Sequence, residues 1–124
     1  MKFVIRDITR LGLLKNHPDF STDPDINFYQ MFKLACLLDE AEIPYEIHHL
    51  FKGFQLCYPS DSKDHFRCSV ILHAGSYGRE DGLLEIMGLL TDEELKHDSV
   101  LGYLDAEEVF NRIKADYNKE DGIN

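Results

Sequence analysis

Apolar positions along this chain recur with two periods, and the switch between them sets the expected elements. Over residues 2–20, Val4, Ile5, Ile8, Leu11 and Leu14 recur at helical spacing. They predict a short helix, weakened by its β-branched members and ended at His17-Pro18. Residues 21–44 predict a stronger helix. Asp23 is placed to cap it, Pro24 suits the first helical position, and Asp25 complements the helix dipole. Phe28, Tyr29, Phe32, Ala35, Cys36 and Leu38 form a broad apolar face. Pro44 stops this helix, so its end is expected near Ala41.

From residue 45 the period drops to two. Tyr45, Ile47 and His49 alternate with Glu46, His48 and Leu50, and Phe54, Leu56 and Tyr58 alternate with Gln55 and Cys57. These are two strands, and Lys52-Gly53 is the expected hairpin turn, with glycine supplying positive φ. Residues 59–65 are a polar loop, and residues 66–73 a third strand with Phe66, Cys68, Val70 and Leu72 on one face. Residues 74–82, AGSYGREDG, hold Gly75, Gly78 and Gly82 and predict a tight turn or bulge. LLEIMGLL follows as a strand broken at Gly88, with a short helix as the alternative because periodicity does not decide so short a run. TDEEL is one acidic turn, and residues 100–104 are a last strand. Asp105 caps the final helix in a capping box with Glu108. Ala106, Val109, Phe110, Ile113 and Tyr117 give that helix one apolar face, and Glu108 can pair with Arg112.

Tight turns join the first strands, so the sheet is expected to be mainly antiparallel. The expected fold is one α+β domain over residues 1–124. Its sheet has about 4–5 strands, packed by the early helix and the C-terminal helix, with residues 1–22 an N-terminal segment and residues 118–124 a frayed tail. The 44% hydrophobic content, with 8 Phe and 6 Tyr, is enough to build a core and excludes disorder along the whole chain. No apolar run approaches the roughly 20 residues that span a bilayer. Lys2, Arg6, Asp7 and Arg10 interrupt the apolar stretch a signal peptide would need. Cys36, Cys57 and Cys68 are odd in number and show no CxxC spacing, so reduced, buried thiols in a cytosolic protein are expected.

Charge changes the picture most. The net charge is −10, and residues 1–79 carry −1 of it against −9 for residues 80–124. That balance argues against direct nucleic-acid binding, which needs a positive surface. It suits an electropositive protein partner. The expected contact residues are Glu80, Asp81, Asp92, Glu93, Glu94 and Asp98, with Tyr77 and Arg79 of the glycine-rich loop as shorter-range anchors. Catalytic signals are weak by comparison. His48 and His49 are strand neighbours and point to opposite faces. GSYGREDG matches no phosphate loop. The acidic-x-Lys letters of a nuclease occur at Asp61-Ser62-Lys63, with Pro18-Asp19 elsewhere, and again at Glu94-Leu95-Lys96, but in loops and an acidic turn. No catalytic residue, metal ligand or cofactor is assigned.

The segments GFQLCYP, GSYG followed by LLEIMG, and GYLDAEEVF, within residues 44–113, resemble small acidic proteins encoded by bacteriophages and prophages. The resemblance implies a protein that binds and blocks host machinery, including CRISPR effectors and other nucleases, and carries no functional residue with it. The leading expectation is therefore a non-enzymatic, anti-CRISPR-like inhibitor that mimics phosphates and binds a host protein with a basic surface, without membrane or nucleic-acid contact. One alternative is a metal-binding or hydrolytic enzyme built on His73, Glu80 and Glu85. Another is a structural phage protein, homodimeric through a sheet edge or its Phe-rich face.

Overall fold

Alternation in the middle of the chain produces a meander. The computed structural model describes residues 22–60 and 66–120. Strands β1 (Glu46–Leu50), β2 (Gly53–Tyr58), β3 (Cys68–Leu72), β4 (Leu84–Met87) and β5 (Val100–Leu104) pair in sequence order, each antiparallel to the next. The helices are α1 (Tyr29–Glu40), the single turn α2 (Asp92–Leu95) and α3 (Ala106–Glu120). The α+β fold expected from the sequence is the one formed. The expected helix over residues 2–20, its end at His17-Pro18 and the tip of the tail fall outside the described residues.

One face of the sheet carries the core. Ile47, Phe54, Leu56, Val70, Leu72, Leu84 and Ile86 are buried in one cluster with Met31, Leu34 and Leu38 of α1 and Val109 and Ile113 of α3. Phe28 and Phe54 lie within this cluster and Phe32 and Phe110 pack against it, whereas Phe51 is exposed. Phe28 meets Phe54 edge-on at 5.3 Å, and each is 1% exposed.

Two local expectations are corrected. Helix α1 starts at Tyr29, not at Pro24. Asp23 instead closes a turn, accepting the Asp25 N–H at 2.9 Å, and the Asn27 side chain accepts the Tyr29 N–H at 2.9 Å. Ile26 and Phe28 are both buried, a two-residue spacing that extended chain delivers and a helix does not. The face of α1 is consequently Met31, Leu34, Ala35 and Leu38, and Tyr29 is 60% exposed.

The hairpin turn is Phe51-Lys52, with φ of 41° and 61°, because Leu50 pairs with Gly53. Both turn residues take the left-handed conformation that a two-residue turn of matching twist requires. Gly53 lies inside β2, and its role is spatial. A Cβ there would lie 2.5 Å from His73 Cα and overlap the Leu72 carbonyl oxygen.

Helix α3 is fastened to the sheet by charge. Arg67 donates from Nε and a terminal nitrogen to the two Asp116 oxygens, both at 2.6 Å, and the buried Tyr58 hydroxyl donates to the same carboxylate at 2.9 Å. The Arg67 hydrogen bond, helped by Tyr58, holds the Asp116 carboxyl below the usual carboxylate range. Replacing Asp116 with Ala removes the carboxylate that Tyr58 and Arg67 both bond. We expect a loss of about 1–3 kcal/mol, read as a lower urea midpoint at an unchanged slope.

Candidate interaction site at the β5 edge

The glycine-rich segment folds as a braced turn. The Ser76 side chain accepts the His73 N–H at 3.0 Å and donates to the His73 carbonyl at 3.1 Å. Gly78 and Gly82, at φ of 96° and 68°, flank a single 3-10 turn over Arg79–Asp81. Glu85 on β4 accepts the Tyr77 N–H at 2.8 Å, which fixes the tyrosine's backbone. The Tyr77 ring is 55% exposed.

Strand β5 answers with a second tyrosine. Leu84 pairs with Leu104 but Ile86 pairs with Leu101, so β5 holds one extra residue. The bulge includes Tyr103 at φ 62°, a conformation rare for an aromatic residue. Its ring is 54% exposed, and its hydroxyl donates to Glu80 at 2.7 Å. Gly102 lets the loop lie against the strand, since a Cβ there would come 2.5 Å from Tyr77 Cβ. Tyr77, Tyr103 and Leu101 line a groove of about 400 Å³ with Glu94, His97 and Asp98. The bulge also blunts an edge strand that would otherwise be a template for strand addition.

The expected contact residues divide accordingly. Tyr77, Glu94 and Asp98 line the groove, and Glu80 reaches it through Tyr103. Asp81 is exposed in the same loop. Arg79 folds back onto its own loop, donating to the Ser76 carbonyl at 2.9 Å. Asp92 and Glu93 lie on α2 and are not among the groove's lining residues; Glu93 makes an exposed ion pair with Lys96 at 3.1 Å.

Glu94 has an internal task. It closes a capping box with Thr91 and pairs bidentately with Arg112 at 2.8 and 2.6 Å. The Arg112 partner expected from helical spacing was Glu108. That residue is engaged in the box with Asp105, and the planar guanidinium fork matches the Glu94 carboxylate better. The Glu94-Leu95-Lys96 letters thus belong to an ion-paired helical turn. Asp61, Lys63 and Asp19 lie outside the described residues.

Arg112 first, then the Thr91 N–H, pull the Glu94 pKa down from 4.5 to about 2. A carboxyl depressed by folding adds stability above its unfolded pKa and loses it as pH falls toward the folded value. Wild type should therefore lose stability between pH 4.5 and 2, and Glu94→Gln should flatten that limb in acid titrations followed by circular dichroism.

Other acids of the last third are also engaged. Glu107 pairs with Lys33 at 2.9 Å across the two helices, and Asp116 holds Arg67. The acids of the last third are thus spread over several contacts.

The histidines behave as strand neighbours should. His48 lies 3.8 Å from the Cys57 sulfur, while His49 meets Phe54 edge-on at 6.2 Å on the other face. His73 Nδ1 accepts the Gly75 N–H at 3.0 Å, and burial is the main cause holding the imidazole pKa down. In this tautomer Nε2 carries the proton, so ligation of a metal would break the loop's hydrogen bond. His73 and Glu85 line one cleft, but Glu80 is turned to Tyr103. Among the described residues no three of His, Cys, Asp and Glu converge on a metal position. The thiols are unpaired with one another, and burial pushes Cys68 up to about 12. Among the described residues no helix is long and apolar enough to cross a membrane.

Tyr103, His97 and Leu101 were not among the expected contacts. Gly102-Tyr103 was the available signal, a glycine and an exposed aromatic inside a short strand. Compared with protein-family models, curated proteins and solved structures, the chain finds no match.

Proposed function

We propose that this chain is a non-enzymatic, phage-type binding protein that occupies a basic surface of a host defence or nucleic-acid-handling protein, as an anti-CRISPR-like inhibitor. The observation that carries the reading is the groove at β5. Two tyrosines more than half exposed are held in fixed positions there by Glu85, Glu80 and a backbone bulge. Tyrosine is a favoured anchor in interfaces because it brings contact area with little rotamer entropy to lose. Glu80, Asp81 and Asp98 around it supply the negative charge that competes with phosphates. Glu94 lines the groove, but its carboxylate is taken up by the bidentate pair with Arg112 and is not the contact charge.

The test is capture from a bacterial lysate on immobilised protein, washed at low and high salt and read by mass spectrometry. A nucleic-acid-binding protein held at low salt and shed at high salt is expected. A Glu80→Gln, Asp81→Asn, Asp98→Asn variant should fail to hold it. Equal retention on the variant would contradict the reading.

A further inference from the structure

The face of the sheet opposite the core holds a second cleft, which meets the β5 groove at Val100. Its side chains form a regular lattice, because Gln55 pairs with Ile71 and Ile71 with Glu85 across β2, β3 and β4. A cleft of about 240 Å³ opens over Ile71, with Gln55, Ser69, His73 and Glu85 among its walls. Leu50, Met87 and Val100 complete it with apolar surface.

Glu85 is the unusual member. It is only 8% exposed, yet the described residues bring it no cationic partner. One backbone N–H, from Tyr77, reaches Oε1. A buried carboxylate is expensive unless it is paired. The neighbouring side chains leave the role open. Arg79 is turned to the Ser76 carbonyl, and His73, whose charged form burial disfavours, already accepts a hydrogen bond at Nδ1. Gln55 donates from Nε2 to Ser69 at 2.9 Å, which leaves its carbonyl oxygen as a second acceptor.

We propose that this cleft binds a small organic cation, a primary ammonium or guanidinium on a short aliphatic chain. Its charged head sits on Glu85 and its chain lies over Ile71 and Met87. The volume lies below the range of about 300–1,000 Å³ common for drug-sized ligands, so the ligand is small. A buried carboxylate on β4, a second acceptor across Ile71 on β2 and apolar surface from Leu50, Ile71, Met87 and Val100 fit that shape of molecule better than a neutral or anionic one.

The test is an NMR titration of the full ¹⁵N-labelled chain with n-butylammonium and n-butylguanidinium, with n-butanol as the neutral probe. Saturable shifts centred on the Gln55, Ile71 and Glu85 amides are expected for the cations. The Glu85→Gln variant, whose side-chain oxygen still accepts the Tyr77 N–H, should bind at least about tenfold more weakly, equivalent to about 1.4 kcal/mol. Ile71→Phe fills the cleft beside Glu85 while keeping its carboxylate, and should abolish the shifts even if Glu85→Gln fails to fold. The proposal is overturned if butanol shifts the same amides as strongly, if Ile71→Phe binds like wild type, or if no cation gives a saturable response.

Discussion

Gly53→Ala is expected to unfold the protein at room temperature or leave it barely folded, a loss of about 4 kcal/mol or more. The expected cause is geometric. A methyl group at this position would overlap the Leu72 carbonyl oxygen and lie 2.5 and 2.8 Å from His73 Cα and Cβ. The first two of those atoms are backbone, so the conflict cannot be relieved by turning a side chain. β2 would have to part from β3, and these strands form the middle of the sheet that carries Phe54, Leu56, Val70 and Leu72 into the core. Gly75→Ala is the comparison. Its Cβ would meet the edge of the exposed Phe51 ring at 3.1 Å, which can give way. That variant should stay within about 1 kcal/mol of wild type. Urea melts of the two variants decide the matter, and equal stability would show that the close approach of β2 to β3 is not what the glycine serves.

The second large effect is on binding. Tyr77→Ala and Tyr103→Ala should each weaken capture of the partner by about thirtyfold or more, since central aromatic anchors are commonly worth about 2 kcal/mol or more on truncation. Neither change should alter folding much, because both rings are more than half exposed. Tyr103→Phe separates two contributions. It keeps the ring and removes the hydroxyl that donates to Glu80 at 2.7 Å. If the hydroxyl's task is to hold the ring and the carboxylate in register, this variant should lose affinity by less than Tyr103→Ala does. Unchanged capture by both alanine variants would move the contact surface away from β5. Circular dichroism on each variant guards against reading a folding defect as a binding one.

The elements were legible where a local rule is strong. Residues 100–104 are the last strand, and Asp105 and Glu108 form the expected reciprocal cap at 2.8 and 3.2 Å. The cap at Thr91 and Glu94 has the same signature in TDEE, where the sequence pattern predicts only an acidic turn. The start of α1 departs from the expected Pro24 because Asp23-Pro24-Asp25 satisfies helix-start chemistry and turn chemistry equally well. Burial of Ile26 and Phe28, a tertiary fact, chose the turn. The Phe51-Lys52 turn was hidden for a related reason. Neither residue favours positive φ, so the adjacent glycine drew the assignment, while sheet register placed the turn one residue earlier.

The candidate site was only partly legible. Tyr77 and Asp98 could be chosen from composition, but their meeting with Tyr103 depends on a bulge that no alternation pattern announces. Glu94 looked like a free surface charge because its partner, Arg112, is 18 residues away on another helix. Glu85 reads as the polar member of a strand, and only the lattice of β2, β3 and β4 turns it into the wall of a cleft.

The most direct measurement is the affinity of the captured partner for the wild-type chain at low and at high salt, repeated with the partner's own nucleic acid as competitor. Exposed carboxylates competing for a phosphate-binding surface predict a steep loss of affinity with salt and mutual exclusion with the nucleic acid. An affinity indifferent to salt, or a ternary complex in which the partner holds both ligands, would contradict the account.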